Sequence, residues 1–249
     1  KRKKLKQNNK KINIVIKKTK NQSCSIFGSC LITNIKNQES PKWLKDRLSA
    51  VGLRPISAVV DITNYIMLDL NRPLHAYDLD KINKKIIVRE SKKNEKLSAL
   101  DNKDYNLSDG MCVIADEDGP LGLGGIIGGT TTSTELSTKN ILIESAYFDP
   151  SITRKTSNLL NLNSDAKYRF ERGIDPSSIE DGLQKAAEMI TQICGGETSK
   201  FQIINTKKIS PREIQLDNDF SSKVLGIKID IKEIISILEK LGFKCKKNK

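Results

Sequence analysis

Val60-Asp61-Ile62-Thr63-Asn64-Tyr65, followed by Arg72-Pro73-Leu74-His75-Ala76-Tyr77-Asp78, holds the only histidine of the chain inside a dense cluster of polar groups. Such a cluster reads as a site, because histidine is the side chain whose ordinary pKa lets it serve as acid, base or hydrogen-bond partner near neutrality. A hydrogen-bonded structural histidine at a turn after Pro73 is the competing reading of His75.

Three further runs follow in order: Gly124-Gly125-Ile126-Ile127-Gly128-Gly129, Ile143-Glu144-Ser145-Ala146-Tyr147-Phe148-Asp149-Pro150, and Tyr168-Arg169-Phe170-Glu171-Arg172-Gly173-Ile174-Asp175-Pro176. Ser40-Pro41 with Trp43 and Leu44, Gly52-Leu53-Arg54-Pro55-Ile56, and Leu225-Gly226 with Leu238 to Phe243 extend the set. Together they resemble the beta subunit of the bacterial phenylalanyl-tRNA synthetase family, whose signature in the first stretch reads VDxTNY…xPxHAFD. The resemblance runs from about Ile12 onward. It implies a B3/B4 domain carrying a hydrolytic editing site, followed by the start of a B5 domain.

With 249 residues, 37% of them hydrophobic, the chain can bury a sizeable core and accommodates one large domain plus a further piece. Lys1 at the start, and Lys246 to Lys249 after an apolar helix pattern, are expected to be cuts through a longer polypeptide. The formal charge of +13 suggests nucleic acid, but ten of the 43 basic residues lie in the first 20 positions, which hold no acidic residue. Without them, 33 basic residues face 30 acidic ones, and the body is close to neutral. The leader 1–20 is therefore expected to be a solvated or disordered basic linker with little specific RNA affinity.

Cys24, Cys30, Cys112, Cys194 and Cys245 are odd in number and scattered, without Cys-x-x-Cys spacing, which argues against a disulfide framework or a zinc site. No apolar run approaches the roughly 18 to 20 residues that span a bilayer, and no secretory leader is visible. A reduced cytoplasmic compartment and no membrane are the expectations.

Ser40-Pro41 ahead of Trp43, Leu44, Arg47, Leu48 and Val51, closed by Gly52, predicts a capped helix with proline at its first position. Strands are expected at Ser57 to Val60, Ile86 to Arg89, Met111 to Ala115 and Ile141 to Ile143, separated by Asn-, Asp- and Gly-rich turns. Asp175-Pro176 opens a helix with an apolar stripe from Ile179 to Ile193, ended by Gly195-Gly196. Asp230 with Glu233 resembles a capping box for a last helix that buries Ile231, Ile234, Ile235, Leu238 and Leu241. Without a regular βαβ period, this order suggests an α+β fold: a mixed sheet with packed helices over 21–206, then a partial small α/β domain over 207–249. The polar stretch Lys207 to Arg212 marks the boundary.

The glycines from Gly119 to Gly129 lack the Gly-Lys-Ser/Thr ending of a phosphate loop and the third glycine of a dinucleotide fold. Close backbone approach explains them better, either as a pocket wall or as tight strand crossing. Glu144 follows the apolar run Ile141 to Ile143, where strand alternation can turn a costly buried acid inward; an exposed strand-end glutamate is the simpler alternative. Arg169, Glu171 and Arg172 suit an internal ion-pair network around a turn better than phosphate contacts.

The resemblance adds roles to these residues. Thr63 and Asn64 fall on positions that line the editing pocket, His75 on a histidine that positions substrate or water, and Gly128 on a pocket-wall glycine. Glu144 falls on the glutamate that recognises the phenolic hydroxyl of misattached tyrosine, Ser164 on a common threonine, and Ala166 on a small residue that controls room. Lys167-Tyr168 departs from a common Ser-His pair. By spacing there is no Ser-His-Asp triad, so Ser164 is not read as a nucleophile. The resemblance further implies an α2β2 enzyme with an alpha subunit that charges tRNA(Phe) using ATP and magnesium, while this stretch itself needs no cofactor and hydrolyses Tyr-tRNA(Phe). A noncatalytic RNA-binding or subunit-assembly module with a degenerate pocket is the alternative. The seven named side chains are expected to converge on one concave pocket.

Overall fold

Side chains buried on both faces make Cys24–Thr33 the central strand of the larger of two sheets in a computed structural model that describes residues 5–18, 22–206 and 213–246. Such a strand carries no polar-apolar alternation, which is why its position is hard to read from sequence. In chain order the strands are β1 (Gln7–Asn8), β2 (Asn13–Ile16), β3 (Cys24–Thr33), β4 (His75–Asp78), β5 (Lys85–Glu90), β6 (Glu95–Ser98), β7 (Asp104–Leu107), β8 (Cys112–Ala115), β9 (Pro120–Leu123), β10 (Ile127–Gly128), β11 (Ile141–Phe148), β12 (Glu197–Ser199) and β13 (Gln202–Asn205). The helices are α1 (Lys42–Ala50), α2 (Ala58–Leu70), α3 (Pro150–Leu159), α4 (Asp165–Phe170), α5 (Ile179–Cys194), α6 (Asn218–Leu225) and α7 (Ile231–Lys240).

The larger sheet runs β1-β12-β3-β11-β4, with β13 also paired to β3; the second runs β10-β9-β8-β5-β2. Strand periodicity divides the side chains of β3 and β11 between two cores. Cys30, Ile32, Ile141 and Ile143 face α1, α2 and α5, where Leu44, Ile62, Ile66, Leu183 and Ile190 are buried. Phe27, Leu31, Leu142, Ala146 and Phe148 face the second sheet and meet Ile86, Val88, Cys112 and Ile114. The hairpin β6-β7 covers the other side of that sheet through Leu97, Leu107, Val113 and Ala115. Helices, sheet and sheet form stacked layers, in keeping with the expected α+β class.

Several expectations change. Ser57 to Val60 is not a strand: Ser57 is the N-cap of α2. Val59, Ile62 and Ile66 repeat at helical spacing and are fully buried, so packing overrides the β preference of the Val-Val-x-Ile run. Pro41 is the N-cap of α1, one place before its first turn, and the Ser40 hydroxyl instead donates to Asp61 Oδ2 at 2.6 Å. A short 3-10 turn, Pro176–Ser178, precedes α5, with Asp175 accepting from the Ser177 amide. Lys85–Glu90, Cys112–Ala115 and Ile141–Phe148 carry the other three expected strands, the last extended well beyond Ile143.

The leader is not simply a solvated linker. Within its described part, β1 pairs in parallel with β12 and β2 in parallel with β5, and Ile14 is buried in the core between the sheets. Residues 1–4 and 19–20 lie outside the described residues, as does the boundary expected at Lys207 to Arg212.

The chain divides into two compact units, Lys1–Lys208 and Ile209–Lys249. In the second, Asp230 caps α7 by accepting from the Lys232 amide. Of the five apolar residues expected to be buried there, only Ile234 is; Ile231, Ile235 and Leu238 are half-buried and Leu241 is exposed.

Candidate active site

Antiparallel pairing of β4 with β11 sets Glu144 directly opposite His75, and Leu142 opposite Tyr77. Paired residues point to the same side of a sheet, so His75, Tyr77 and Glu144 all face the second sheet. They line a cavity between the sheets together with Phe148, Ile114, the turn from Gly122 to Gly128, and Ala166 and Phe170 of α4. Its volume of about 100 Å³ is small beside the 300–1,000 Å³ of clefts that take drug-sized ligands, which restricts it to a small group. The lining is mostly apolar and aromatic with a few convergent polar groups, which suits one aromatic side chain with one polar end.

The polar groups are electrostatically unusual. Burial raises the Glu144 carboxyl to about 7, although the Tyr77 hydroxyl, donating to Oε2 at 2.6 Å, pulls the other way. Tyr77 is held well above its ordinary value by burial and by the Glu144 charge, so it stays a donor. Burial alone lowers His75 to about 4, leaving a neutral imidazole near pH 7. Its ring stands edge-on to Tyr77 at 4.4 Å between centroids, and its buried Nε2 has no hydrogen-bond partner among the described residues. A buried polar atom without a protein partner calls for a functional account, and at the cavity wall that account is hydrogen bonding to a substrate group.

The glycine run gains its physical account here. A Cβ on Gly124 would fall 2.6 Å from the Phe148 ring, and one on Gly125, which has φ +73°, 2.9 Å from the same ring. At Gly128 it would meet the His75 ring, 2.7 Å from Nε2. These glycines let protein side chains lie flat against the main chain and keep the cavity open. They sit in the β9-β10 hairpin and its turn, not ahead of a helix.

Of the seven expected site residues, His75, Gly128, Glu144 and Ala166 line the cavity. Ser164 stands immediately behind it: its hydroxyl donates to the Ile126 carbonyl at 2.6 Å and accepts from the Lys167 amide at 3.0 Å, so it caps α4 and clamps it to the glycine turn. Thr63 and Asn64 do not join them, which corrects the expected convergence. They belong to α2, whose apolar stripe packs on the opposite face of the larger sheet, the face of Ala76 and Ile143. Thr63 turns its hydroxyl back onto the Val60 carbonyl at 2.7 Å, and Asn64 is half-buried. The polar cluster of the first stretch is thus divided by the sheet.

Arg72 and Tyr77 were not singled out by sequence reasoning. Arg72 is fully buried and donates to the Ala146 carbonyl, the Asp175 carbonyl and the Ser178 hydroxyl, tying β11 and the entry to α5 to the segment that leads into β4. Burial lowers it to about 10, with Asp175 opposing the shift. For Tyr77 the signal was present: the quoted signature has phenylalanine where this chain has tyrosine. Lys167 and Tyr168, where the chain departs from the pattern, are off the cavity wall, because Ala166 and Phe170, four apart on α4, face it instead. Lys167 pairs with Glu171 at 3.1 Å, Arg172 with Glu171 at 2.6 Å, and Arg169 with Asp165 at 3.5 Å, as the ion-pair reading of that run expects.

Comparison with known proteins places residues 23–195 in the B3/4 domain family model. The chain is 44% identical over 220 residues to the phenylalanine–tRNA ligase beta subunit of Bartonella henselae, a match covering 88% of this chain and 27% of the relative. It is 41% identical over 237 residues to that of Ruegeria pomeroyi, covering 95% of this chain and 30% of the relative. It thus spans less than a third of the length of these relatives. The fold is similar to that of an N-terminal fragment of the phenylalanyl-tRNA synthetase beta subunit from Pyrococcus horikoshii, with a TM-score of 0.51 at 15% identity, covering 96% of this chain and 67% of the other.

Proposed function

The chain belongs to the B3/4 domain family and is similar to phenylalanine–tRNA ligase beta subunits, and on that premise we propose that its cavity hydrolyses tyrosine from mischarged Tyr-tRNA(Phe). The observation that carries this reading is the buried Glu144 carboxyl at the cavity wall, directly across the strand pair from His75. Among the described residues Tyr77 is the donor to that carboxyl, through Oε2, which leaves Oε1 to accept from a ligand phenol. Phenylalanine in the same place leaves a desolvated acceptor unpaired, and this penalty discriminates between amino acids that differ by one hydroxyl.

Hydrolysis requires a water oriented on the ester carbonyl. Neutral His75 supports this through Nε2, the polar atom at the cavity with no partner of its own. The water oxygen bonds to the carbonyl carbon, the bond to the ribose oxygen breaks, and the two water protons end on the acid and the ribose hydroxyl. An activated ester in near-attack geometry needs no covalent intermediate. Ser164, with its hydroxyl already committed on both sides, acts here by holding the wall; Gly128 and Ala166 set the room.

In this reading residues 21–206 form the editing domain and 207–249 the start of a B5-like domain. The complete enzyme pairs with an alpha subunit as α2β2 in the cytoplasm and attaches phenylalanine to tRNA(Phe) with ATP and magnesium. Among the described residues no group of three or more His, Cys, Asp or Glu is arranged to hold a metal ion, and no step of the deacylation is routed through one. No helix of the described residues is long and apolar enough to cross a membrane.

The test is Glu144→Ala in the full-length enzyme, with deacylation of preformed Tyr-tRNA(Phe) and Phe-tRNA(Phe) compared. The preference for tyrosine should fall roughly 10- to 150-fold, the equivalent of about 1.5–3 kcal/mol for a hydrogen bond to a charged group, with phenylalanine charging nearly intact. An unchanged ratio in the folded variant refutes the role given to Glu144.

A further inference from the structure

Tyr77 makes the same kind of bond to Glu144 that a ligand phenol would make, from inside the protein. Its hydroxyl is 2.6 Å from Oε2, its ring is 2% exposed, and the edge-on contact with His75 fixes the ring plane. A carboxylate offers about four lone-pair directions over two oxygens. A rigid donor on one oxygen therefore fixes the plane of the group and commits the other oxygen to the cavity.

We propose that Tyr77 is a positioning residue for the specificity of this cavity: by holding Glu144 Oε2, it aims Oε1 at the phenol of the incoming side chain. The proposal rests on the reading of Glu144 as the acceptor of a ligand phenol. The opposite role, a built-in competitor that fills the site, predicts that the deacylation ratio rises when the hydroxyl is removed.

The surroundings of Glu144 leave this part to Tyr77. The titratable groups facing it are Cys24 from β3, Cys112 from β8, and His75 and Tyr77 from β4. Burial raises both thiols, Cys112 to about 12, and lowers His75, so none of these neighbours is charged near pH 7. Tyr77 is the one influence that favours the ionised carboxylate against burial. Without its hydroxyl, Glu144 is protonated over a wider pH range and offers a proton where an acceptor is needed.

Tyr77→Phe keeps the ring and removes only the donor. In the full-length enzyme, the ratio of Tyr-tRNA(Phe) to Phe-tRNA(Phe) deacylation should fall roughly tenfold at pH 7, and the midpoint of its pH dependence should rise by about one unit. An unchanged ratio and midpoint, or a ratio that rises, overturns the proposal. Glu144→Ala measured in parallel separates the two readings. If it leaves the ratio unaltered, the acceptor role itself fails; if it flattens the ratio while Tyr77→Phe does not, only the positioning role fails. Incorporation of 3-fluorotyrosine at position 77, a stronger donor of nearly the same shape, covers the case in which Tyr77→Phe does not fold. It should move the midpoint down, and an unmoved midpoint overturns the proposal.

Discussion

Gly128 and the His75 imidazole are in direct contact across the two sheets, so close that a Cβ on residue 128 would fall 2.7 Å from Nε2 and 3.1 Å from Leu100 Cδ1. The glycine is required for space. No left-handed backbone angle is involved.

Gly128→Ala is therefore an overpacking substitution, expected to cost about 1–3 kcal/mol of stability and to push the imidazole out of line. Denaturant unfolding together with Tyr-tRNA(Phe) deacylation checks both effects. Deacylation retained at the parent rate would show that the position of His75 is not critical.

Two buried groups give opposing pH dependences. His75, lowered from 6.5 to about 4, contributes stability that is present above its unfolded pKa and is lost as pH falls through about 4. Glu144, raised from 4.5 to about 7, contributes stability that is full below 4.5 and is lost as pH rises through 7. Each shift corresponds to about 3 kcal/mol, so between roughly pH 4.5 and 6.5 the two nearly cancel. Relative to the parent, Glu144→Gln should make stability climb with pH across this window, and His75→Ala should make it decline. Parallel stability curves for the parent and both variants would contradict the burial assigned to the pair.

Ser164→Ala removes a helix cap and the clamp on the Ile126 carbonyl, an expected loss of about 1–2 kcal/mol. Deacylation should drop less than tenfold, because the hydroxyl is a brace for the wall and forms no covalent intermediate. Abolished deacylation in a folded variant would give Ser164 a chemical role after all.

The parts of the molecule that followed local rules were legible in the sequence. The stripe of α5, closed by Gly195 and Gly196, and the strands around Ile86, Met111 and Ile141 are set by periodicity and turn chemistry. Of the site, Glu144 is placed by the family resemblance, since from the residues alone an exposed strand-end glutamate is the simpler reading. What escaped depends on contacts distant in sequence. The helix at Ala58 overrides its β-branched residues only because α5 and the sheet bury them. The leader strands have partners more than 70 residues away, at Lys85 to Val88, and near Thr198. Thr63 and Asn64 share a motif with His75 in sequence but not a face of the sheet, and only the strand pairing reveals which side each occupies.

The pairing of β4 with β11 also fixes when the site can exist. Tyr77 and Glu144 are 67 residues apart, and at synthesis rates of roughly 5–20 residues per second the tyrosine emerges several seconds before its carboxyl partner. During that interval β4 has no β11 to pair with, although the strands of the opposite sheet, β2, β5 and β8 to β10, are all made before β11. β12 and β13, which complete the larger sheet, come later still. Nonlocal pairings of this kind slow folding, so the cavity is assembled among the last features of its domain, and a nascent chain stalled before Ile141 has the histidine but no site.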